Sequence, residues 1–253
     1  MRLKGKVAIV TGGGVGIGKA YSIRLAQEGA KVVIADIAEE VARRTAEEIN
    51  ASGGEAIAVV TDVSDEQSTI EMARKAYEKF GRIDILVNNA ALFTAIERKP
   101  WYEVTVSEWD RVMAVNLRGP WLCSKAVFPY MKKQGKGKII NISSSTIFTG
   151  ARVGGLIHYV TSKGGVMAFT RALAREVGDY NINVNTITPG FTVSENVAKI
   201  YPSEVRMLLT RTRCLKREEF PEDLTGTVVF LASDDSDFIT GQIINVDGGD
   251  VFH

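Results

Sequence analysis

The chain has 253 residues, 45% apolar and 24% charged, with 31 Lys and Arg against 30 Asp and Glu. A net charge of +1 excludes the broad basic field of a general nucleic-acid or membrane-surface binder, and no apolar run approaches a membrane span. Met1 to Lys6 leaves no room for a secretory leader, and the two cysteines, Cys123 and Cys214, stand in no metal or redox spacing, so a cytoplasmic protein with both thiols as packing residues is expected.

The first strand reads as Val7-Ala8-Ile9-Val10, followed by Thr11-Gly12-Gly13-Gly14-Val15-Gly16-Ile17-Gly18 and an amphipathic helix over Lys19 to Glu28. Strand, glycine turn and helix together hold a phosphate, because the unpaired N–H groups and the dipole of a helix N-terminus face the anion. The spacing is G-x-x-x-G-x-G on Gly12, Gly16 and Gly18, not the G-x-G-x-x-G of many dinucleotide sites. Lys31 to Ala35 is a second strand ended by Asp36, Glu39 to Asn50 a helix, and Ala56 to Val60 a third strand ended by Thr61-Asp62. Ser64-Asp65-Glu66 caps a helix that Gly81 ends, and Ile83 to Val87 is a fourth strand ended by Asn88-Asn89-Ala90.

A loop with Phe93, Pro100 and Trp101 leads to a long helix from Ser107 to about Lys133, containing Asn116 and interrupted at Gly119-Pro120. Lys138 to Ile142 is a fifth strand ended by Ser143-Ser144-Ser145, and residues 158–178 form a helix carrying Tyr159 and Lys163. Asn183 to Ile187 is a sixth strand ended by Thr188-Pro189-Gly190. Residues 191–220 carry no strand pattern, Asp223 to Ala232 is helical, and Gln242 to Val246 is a seventh strand. Continuously apolar strands alternating with helices predict one α/β domain over residues 1–253, with a doubly wound, mostly seven-stranded parallel sheet flanked by helices.

Ligands bind such a sheet outside the carboxyl ends of its strands, which is where Gly12–Gly18, Asp36, Asp62, Asn88-Asn89, Ser143–Ser145 and Pro189-Gly190 fall. Asp36 lies 18 residues beyond Gly18, near the spacing at which a carboxylate accepts from the ribose 2′-hydroxyl of NAD and repels a 2′-phosphate. Gly14 and Ile37 offer no basic neighbour to reverse that choice, so NAD is expected over NADP. Tyr159 and Lys163, at i and i+4, share one helix face. A cation beside a phenol favours the phenolate, which lets the phenol exchange a proton while hydride moves on carbon.

Thr11–Gly18, Asp62-Val63, Asn88-Asn89-Ala90, Asn116, Ser144, Tyr159-x-x-x-Lys163, Pro189-Gly190 and the ending Gly241–Gly249 together resemble the short-chain dehydrogenase/reductase family over essentially the whole chain. The resemblance implies a Rossmann-type fold with Tyr159 as general acid/base. Lys163 would lower its pKa and contact the nicotinamide ribose, Ser144 would hold the substrate oxygen, and Asn116 would hold a water in a proton relay. It also implies a dinucleotide site on Gly12, Gly14, Val15, Gly16, Ile17, Gly18, Asp36, Ile37, Asp62, Val63, Asn89, Ala90, Ala91, Pro189, Gly190, Thr192 and Ser194, and a homotetramer; two histidines in no ligand cluster predict no catalytic metal.

Three positions depart from the family pattern. Ala91 stands where the family usually has glycine, and Ser194 where it has threonine. Ser144 to Tyr159 spans 15 residues, two more than is usual, which implies an insertion within Ala151 to Ile157. Without an insertion the equivalent position is Thr146, and Ser143 and Ser145 are further candidates.

Residues 191–220 would form a lid over cofactor and substrate. Leu92, Phe93, Phe148, Leu156, Ile157, Phe191 and Ile200, with Arg152 and Arg211 within reach, suggest a hydrophobic, cyclic or aromatic secondary alcohol and its ketone as the small-molecule substrate. An NADPH-dependent 3-oxoacyl reductase and a catalytically silent dinucleotide sensor are the alternatives. His158 is expected at the helix surface or an interface, His253 has no assigned role, and Trp101, Trp109 and Trp121 are expected in packing.

Overall fold

A computed structural model describes residues 1–152 and 154–252; His253 lies outside them. Its strands are Val7–Thr11 (β1), Lys31–Asp36 (β2), Glu55–Val60 (β3), Ile85–Asn88 (β4), Gly137–Ile142 (β5), Ile182–Pro189 (β6) and Ile243–Val246 (β7), paired in parallel in the order β3-β2-β1-β4-β5-β6-β7. The helices are Gly16–Gln27 (α1), Glu39–Ala51 (α2), Glu66–Phe80 (α3), Val106–Met113 (α4), Gly119–Gln134 (α5), the single turn Thr146–Thr149 (α6), Ile157–Val177 (α7), Glu195–Ile200 (α8), Ser203–Thr210 (α9) and Pro221–Ala232 (α10). This is the doubly wound α/β fold that the alternation of elements predicts.

Successive strand residues face opposite sides, and each side has its own core. Val10 and Ile34 pack with Leu25 of α1, Ala42 of α2 and Leu224 of α10, whereas Ile9 and Val33 pack with Met72 of α3, Val127 of α5 and Val177 of α7. Burial on both faces explains why the strands read as continuous apolar runs rather than alternating ones. Local signals set the helix ends. Asp65 accepts from the Ser68 N–H at 2.7 Å to start α3, Gly81 ends it at φ +76°, and Thr105 with Glu108 forms a capping box on α4.

Several elements differ from the sequence reading. Helix α1 begins at Gly16 rather than Lys19, so the last glycines of the turn are already its first helical residues. The long helix is interrupted one turn before Gly119-Pro120, where Ala114–Arg118 widen into a π turn. Pro120 has no N–H to return to the Asn116 carbonyl four residues back, and the ladder widens there, a device that recurs at functional sites. Helices α8 and α9 occupy a segment whose sequence reads only as lacking strands. Trp101, Trp121 and Cys214 are exposed rather than packed, and His158 is 3% exposed rather than at the surface. Among the described residues no helix is long and apolar enough to cross a membrane.

Candidate active site

A cleft of about 880 Å³ crosses the carboxyl ends of the strands. Strand order reverses between β1 and β4, the switch point at which open α/β sheets take ligands. The volume is near the top of the range of about 300–1,000 Å³ for small-molecule sites, so the cleft suits an extended ligand. Every predicted site residue except Gly14 and Asn116 lines it.

Its floor at one end is the glycine turn. Gly12 and Gly16 take φ +60° and +55°, conformations that favour glycine. A Cβ on Gly12 would come within 2.9 Å of the Ala90 Cα, and one on Gly18 within 2.0 Å of the Gly12 carbonyl oxygen. Asn89 laces the turn to β4. Its Nδ2 donates to the carbonyls of Thr11 at 3.0 Å and Gly12 at 3.1 Å, and its backbone N–H donates to the Thr11 hydroxyl at 3.0 Å. No side chain caps α1, so its first N–H groups have no side-chain acceptor. A cradle that any Cβ would fill, at a helix N-terminus, fits the diphosphate of a dinucleotide.

Gly14 lies behind this wall, against Val41 and Ala42. Its N–H donates to Asp36 Oδ2 at 3.1 Å, and the Ala38 N–H donates to Asp36 Oδ1 at 3.1 Å. Asp36 thus caps the next turn while its carboxylate, 8% exposed, faces the cleft. An ionised carboxylate has about four acceptor positions, and these two bonds leave capacity for a hydroxyl. Further along, Asp62 Oδ1 accepts from the N–H and hydroxyl of Ser64 at 2.8 and 2.7 Å, which fixes the β3 end.

At mid-cleft Ser144 is the side chain that reaches the Tyr159 phenol and opposes the rise of its pKa, and the Thr146 hydroxyl donates to Ser144 Oγ at 3.0 Å. Of the serine and threonine candidates, Ser144 is therefore the one that meets the phenol. Ser143 instead turns inward, its hydroxyl donating to the Lys163 carbonyl at 2.7 Å. Lys163 is 3% exposed; its Nζ donates to the Ile142 carbonyl at 2.7 Å and lies 5.8 Å from the centre of the Tyr159 ring.

Burial dominates both groups. It pushes the phenol up to about 12, against the opposing effect of Ser144, and the ammonium down to about 8. The lowering of the phenol expected from Lys163 is not found: desolvation sets the direction and only Ser144 opposes it. Asn116 is fully buried off the cleft wall. It accepts from the Leu92 N–H at 2.8 Å and donates to the Leu92 carbonyl at 3.1 Å and to Ser162 Oγ at 3.3 Å. It fixes the loop after β4 and has no direct bond to Lys163.

The far end is apolar. The Phe93 ring lies 5.2 Å from that of Tyr159, and Phe191 meets Tyr201 edge-on at 5.2 Å. Leu92, Phe93 and Phe191 line the cleft as expected, but Phe148, Leu156, Ile157 and Ile200 do not; Leu156 packs beneath Tyr159. Val205, Leu208 and Leu209 of α9 take their place, and their i, i+3, i+4 spacing was the signal available for finding them. Arg152 reaches the cleft but is paired with Asp250 at 3.0 Å, and Arg211 does not line it. Arg98, which the sequence did not single out, lines it while donating to the Gly154 carbonyl at 2.8 Å. The buried His158 leaves Nδ1 without a partner among the described residues, and burial pushes its imidazole down.

A family model described as enoyl-(acyl carrier protein) reductase matches residues 13–250. A (2S)-[(R)-hydroxy(phenyl)methyl]succinyl-CoA dehydrogenase subunit from Thauera aromatica is 38% identical over 249 residues, covering 98% of each chain. The structure of a 3-ketoacyl-(acyl-carrier-protein) reductase from Brucella melitensis complexed with NADH superposes with a TM-score of 0.89 and 33% identity, over 99% of this chain and 100% of that one. A proposed NAD(P)-dependent gluconate 5-dehydrogenase from Beutenbergia cavernae, with NADP bound at low occupancy, superposes with a TM-score of 0.90 and 36% identity, over 98% and 97%.

Proposed function

The chain belongs to the short-chain dehydrogenase/reductase family and is an NAD(P)-dependent oxidoreductase, and from that premise we propose that it moves hydride between NAD(H) and a hydrophobic secondary alcohol or its ketone, aryl or cyclic. One observation carries the reading. Ser144, Tyr159 and the buried Lys163 meet in a cleft whose other end holds the Asp36 carboxylate.

The nicotinamide, when bound, supplies or accepts the hydride. The protein's residues handle the proton. In ketone reduction the Tyr159 phenol, which burial keeps protonated, donates to the substrate oxygen while the Ser144 hydroxyl orients that oxygen and stabilises its developing charge. In alcohol oxidation the phenol must give up its own proton, and the Lys163 ammonium, charged below about pH 8, supports the phenolate. Asn116 acts behind them by holding the π turn and the Leu92 backbone, and we assign it the relay water. The apolar walls and α9 exclude water from the reacting carbon.

Asp36 supports NAD over NADP, since a second negative charge beside its carboxylate would be repelled. The Brucella relative supports a second substrate class, a 3-oxoacyl thioester, whose chain could leave past Val205 and Leu208. Assembly as a homotetramer is part of the same proposal. Exposed apolar Trp121, Ile157 and Phe238 support it, and light scattering at several concentrations tests it.

The test of the chemistry is Tyr159→Phe, assayed with a panel of aryl and cycloalkyl secondary alcohols, their ketones and a 3-oxoacyl thioester. The variant should keep NADH affinity and lose turnover by about 10²-fold or more. Unchanged turnover would remove Tyr159 from the mechanism.

A further inference from the structure

The Pro189-Gly190 turn is backed by a buried cluster that none of the steps above uses. Arg213 and Glu219 are 3% and 5% exposed, with Arg213 Nη2 3.6 Å from Glu219 Oε2. Both hold the chain as it leaves β6. The Thr192 hydroxyl donates to Glu219 Oε1, the Val193 N–H donates to the Glu219 carbonyl at 2.7 Å, and Arg213 Nη2 donates to the Phe191 carbonyl at 2.8 Å. The fit is tight: a Cβ on Gly190 would come within 2.6 Å of Glu219 Oε2, 3.0 Å of the Asp247 Cβ and 3.1 Å of Arg213 Nη2.

Four buried polar atoms around this turn have no hydrogen-bond partner among the described residues. They are Glu219 Oε2, Arg213 Nε, Asn245 Nδ2 (in register with Thr188) and the Tyr21 hydroxyl, which senses the charge of Glu219. Buried polar groups are nearly always paired, and a buried ion pair seldom stabilises more than apolar packing would. The cluster is thus a poor source of stability, while its bonds to Phe191, Thr192 and Val193 fix where the segment 191–220 begins.

We propose that Glu219 is a positioning residue: with Arg213 it clamps residues 191–193 so that the segment 191–220 closes over a bound dinucleotide. The inference rests on reading the cleft as a dinucleotide site. Burial pushes the Glu219 carboxyl up to about 7; the Thr192 bond and Arg213 oppose that rise, and Asp247 and Asp223 add to it. Arg217, paired with Asp223 at 2.7 Å, and Tyr21 complete the groups that feel its charge. A carboxyl raised in the folded state contributes stability that is full at acid pH and lost as pH rises through the folded value. Glu219→Gln cannot titrate, so its melting temperature should gain on the unmutated protein between pH 5 and 8.

The decisive comparison uses Glu219→Ala, Glu219→Gln and the unmutated chain. Trypsin digestion without dinucleotide should cut Glu219→Ala within residues 203–217 about tenfold faster. Its Kd for NADH, read by fluorescence, should rise about tenfold, the equivalent of about one hydrogen bond, with kcat at saturating NADH changed less than about threefold. Glu219→Gln, which keeps the acceptor for Thr192, should stay within about threefold of the unmutated Kd. Adding Thr192→Val to Glu219→Ala should not speed the cleavage further. If Glu219→Ala fails to fold, Thr192→Val alone must show the faster cleavage. A lowered melting temperature with unchanged cleavage and unchanged Kd would make Glu219 merely structural and overturn the proposal. Failure of the unmutated chain to bind NADH or NADPH would overturn the dinucleotide reading instead, while the digestion would still decide the clamp.

Discussion

Gly18→Ala tests whether the cradle is set by crowding rather than by backbone conformation. Gly18 does not need a positive φ, yet its added Cβ would lie 2.0 Å from the Gly12 carbonyl oxygen and 2.5 Å from Asn89 Nδ2. Overpacking of this kind costs about 1–3 kcal/mol. Moving Asn89 aside would also loosen its two bonds to the Thr11 and Gly12 carbonyls, at about 1 kcal/mol each. The sum, about 3–5 kcal/mol, is a large share of the 5–15 kcal/mol typical of a domain. Gly226 in α10 has nothing within 4 Å of its would-be Cβ, so Gly226→Ala should instead stabilise by about 0.5–1 kcal/mol. Denaturant midpoints of both variants, with NADH titrations, make the assay. Gly18→Ala should lose stability by the stated amount and bind NADH at least about 100-fold more weakly, since a displaced turn cannot present its N–H groups. Two variants of equal stability and equal NADH affinity would refute the reasoning.

Asp36→Ala should weaken NAD binding by about 10- to 100-fold, the worth of about 1.5–3 kcal/mol for a hydrogen bond to a charged group, and should narrow the gap to NADP; equal use of both cofactors by the unmutated protein would contradict the premise. Lys163→Met should abolish turnover while stabilising the fold. Holding the ammonium at about 8 instead of 10.5 costs roughly 3 kcal/mol, of which the lost bond to the Ile142 carbonyl takes back about 1. That cost is present below about pH 8 and is relieved as pH rises toward 10.5, so the gain in denaturant midpoint should be larger at pH 7 than at pH 10. A Met variant less stable than the unmutated protein at pH 7 would show that the buried ammonium is not a burden.

The sheet was legible because its strands are buried on both faces and end in residues that no strand prefers. Asp36, Asp62, Asn88 and Ser143 mark the carboxyl edge by themselves, and the cleft follows from the edge. Position on a helix was less legible. His158 and Trp121 both sit on amphipathic segments, yet the imidazole is buried and the indole is exposed, because neighbouring elements rather than the helix's own period decide which faces are covered. The π turn around Asn116 could be suspected from Pro120, but its placement depends on which carbonyl loses its donor. The segment 191–220 was read as a lid, but its secondary structure was read only by its lack of strands. Helix α9 is short, and its apolar side lines a cleft rather than a core. Arg213 and Glu219 lay in a stretch rich in charges, Arg211 to Glu219, that reads as solvated. Only the tertiary structure buries two of its members beneath Gly190.

We propose that this cleft carries hydride from a secondary alcohol to NAD. The most direct test is isotopic: the alcohol that turns over best in the panel is prepared with deuterium on its carbinol carbon and incubated with NAD and the protein. Mass spectrometry of the product should find one deuterium in the reduced nicotinamide, and Tyr159→Phe should yield almost no labelled product. A reduced nicotinamide without deuterium, or no reduction of NAD or NADP by any alcohol in the panel, would contradict the account.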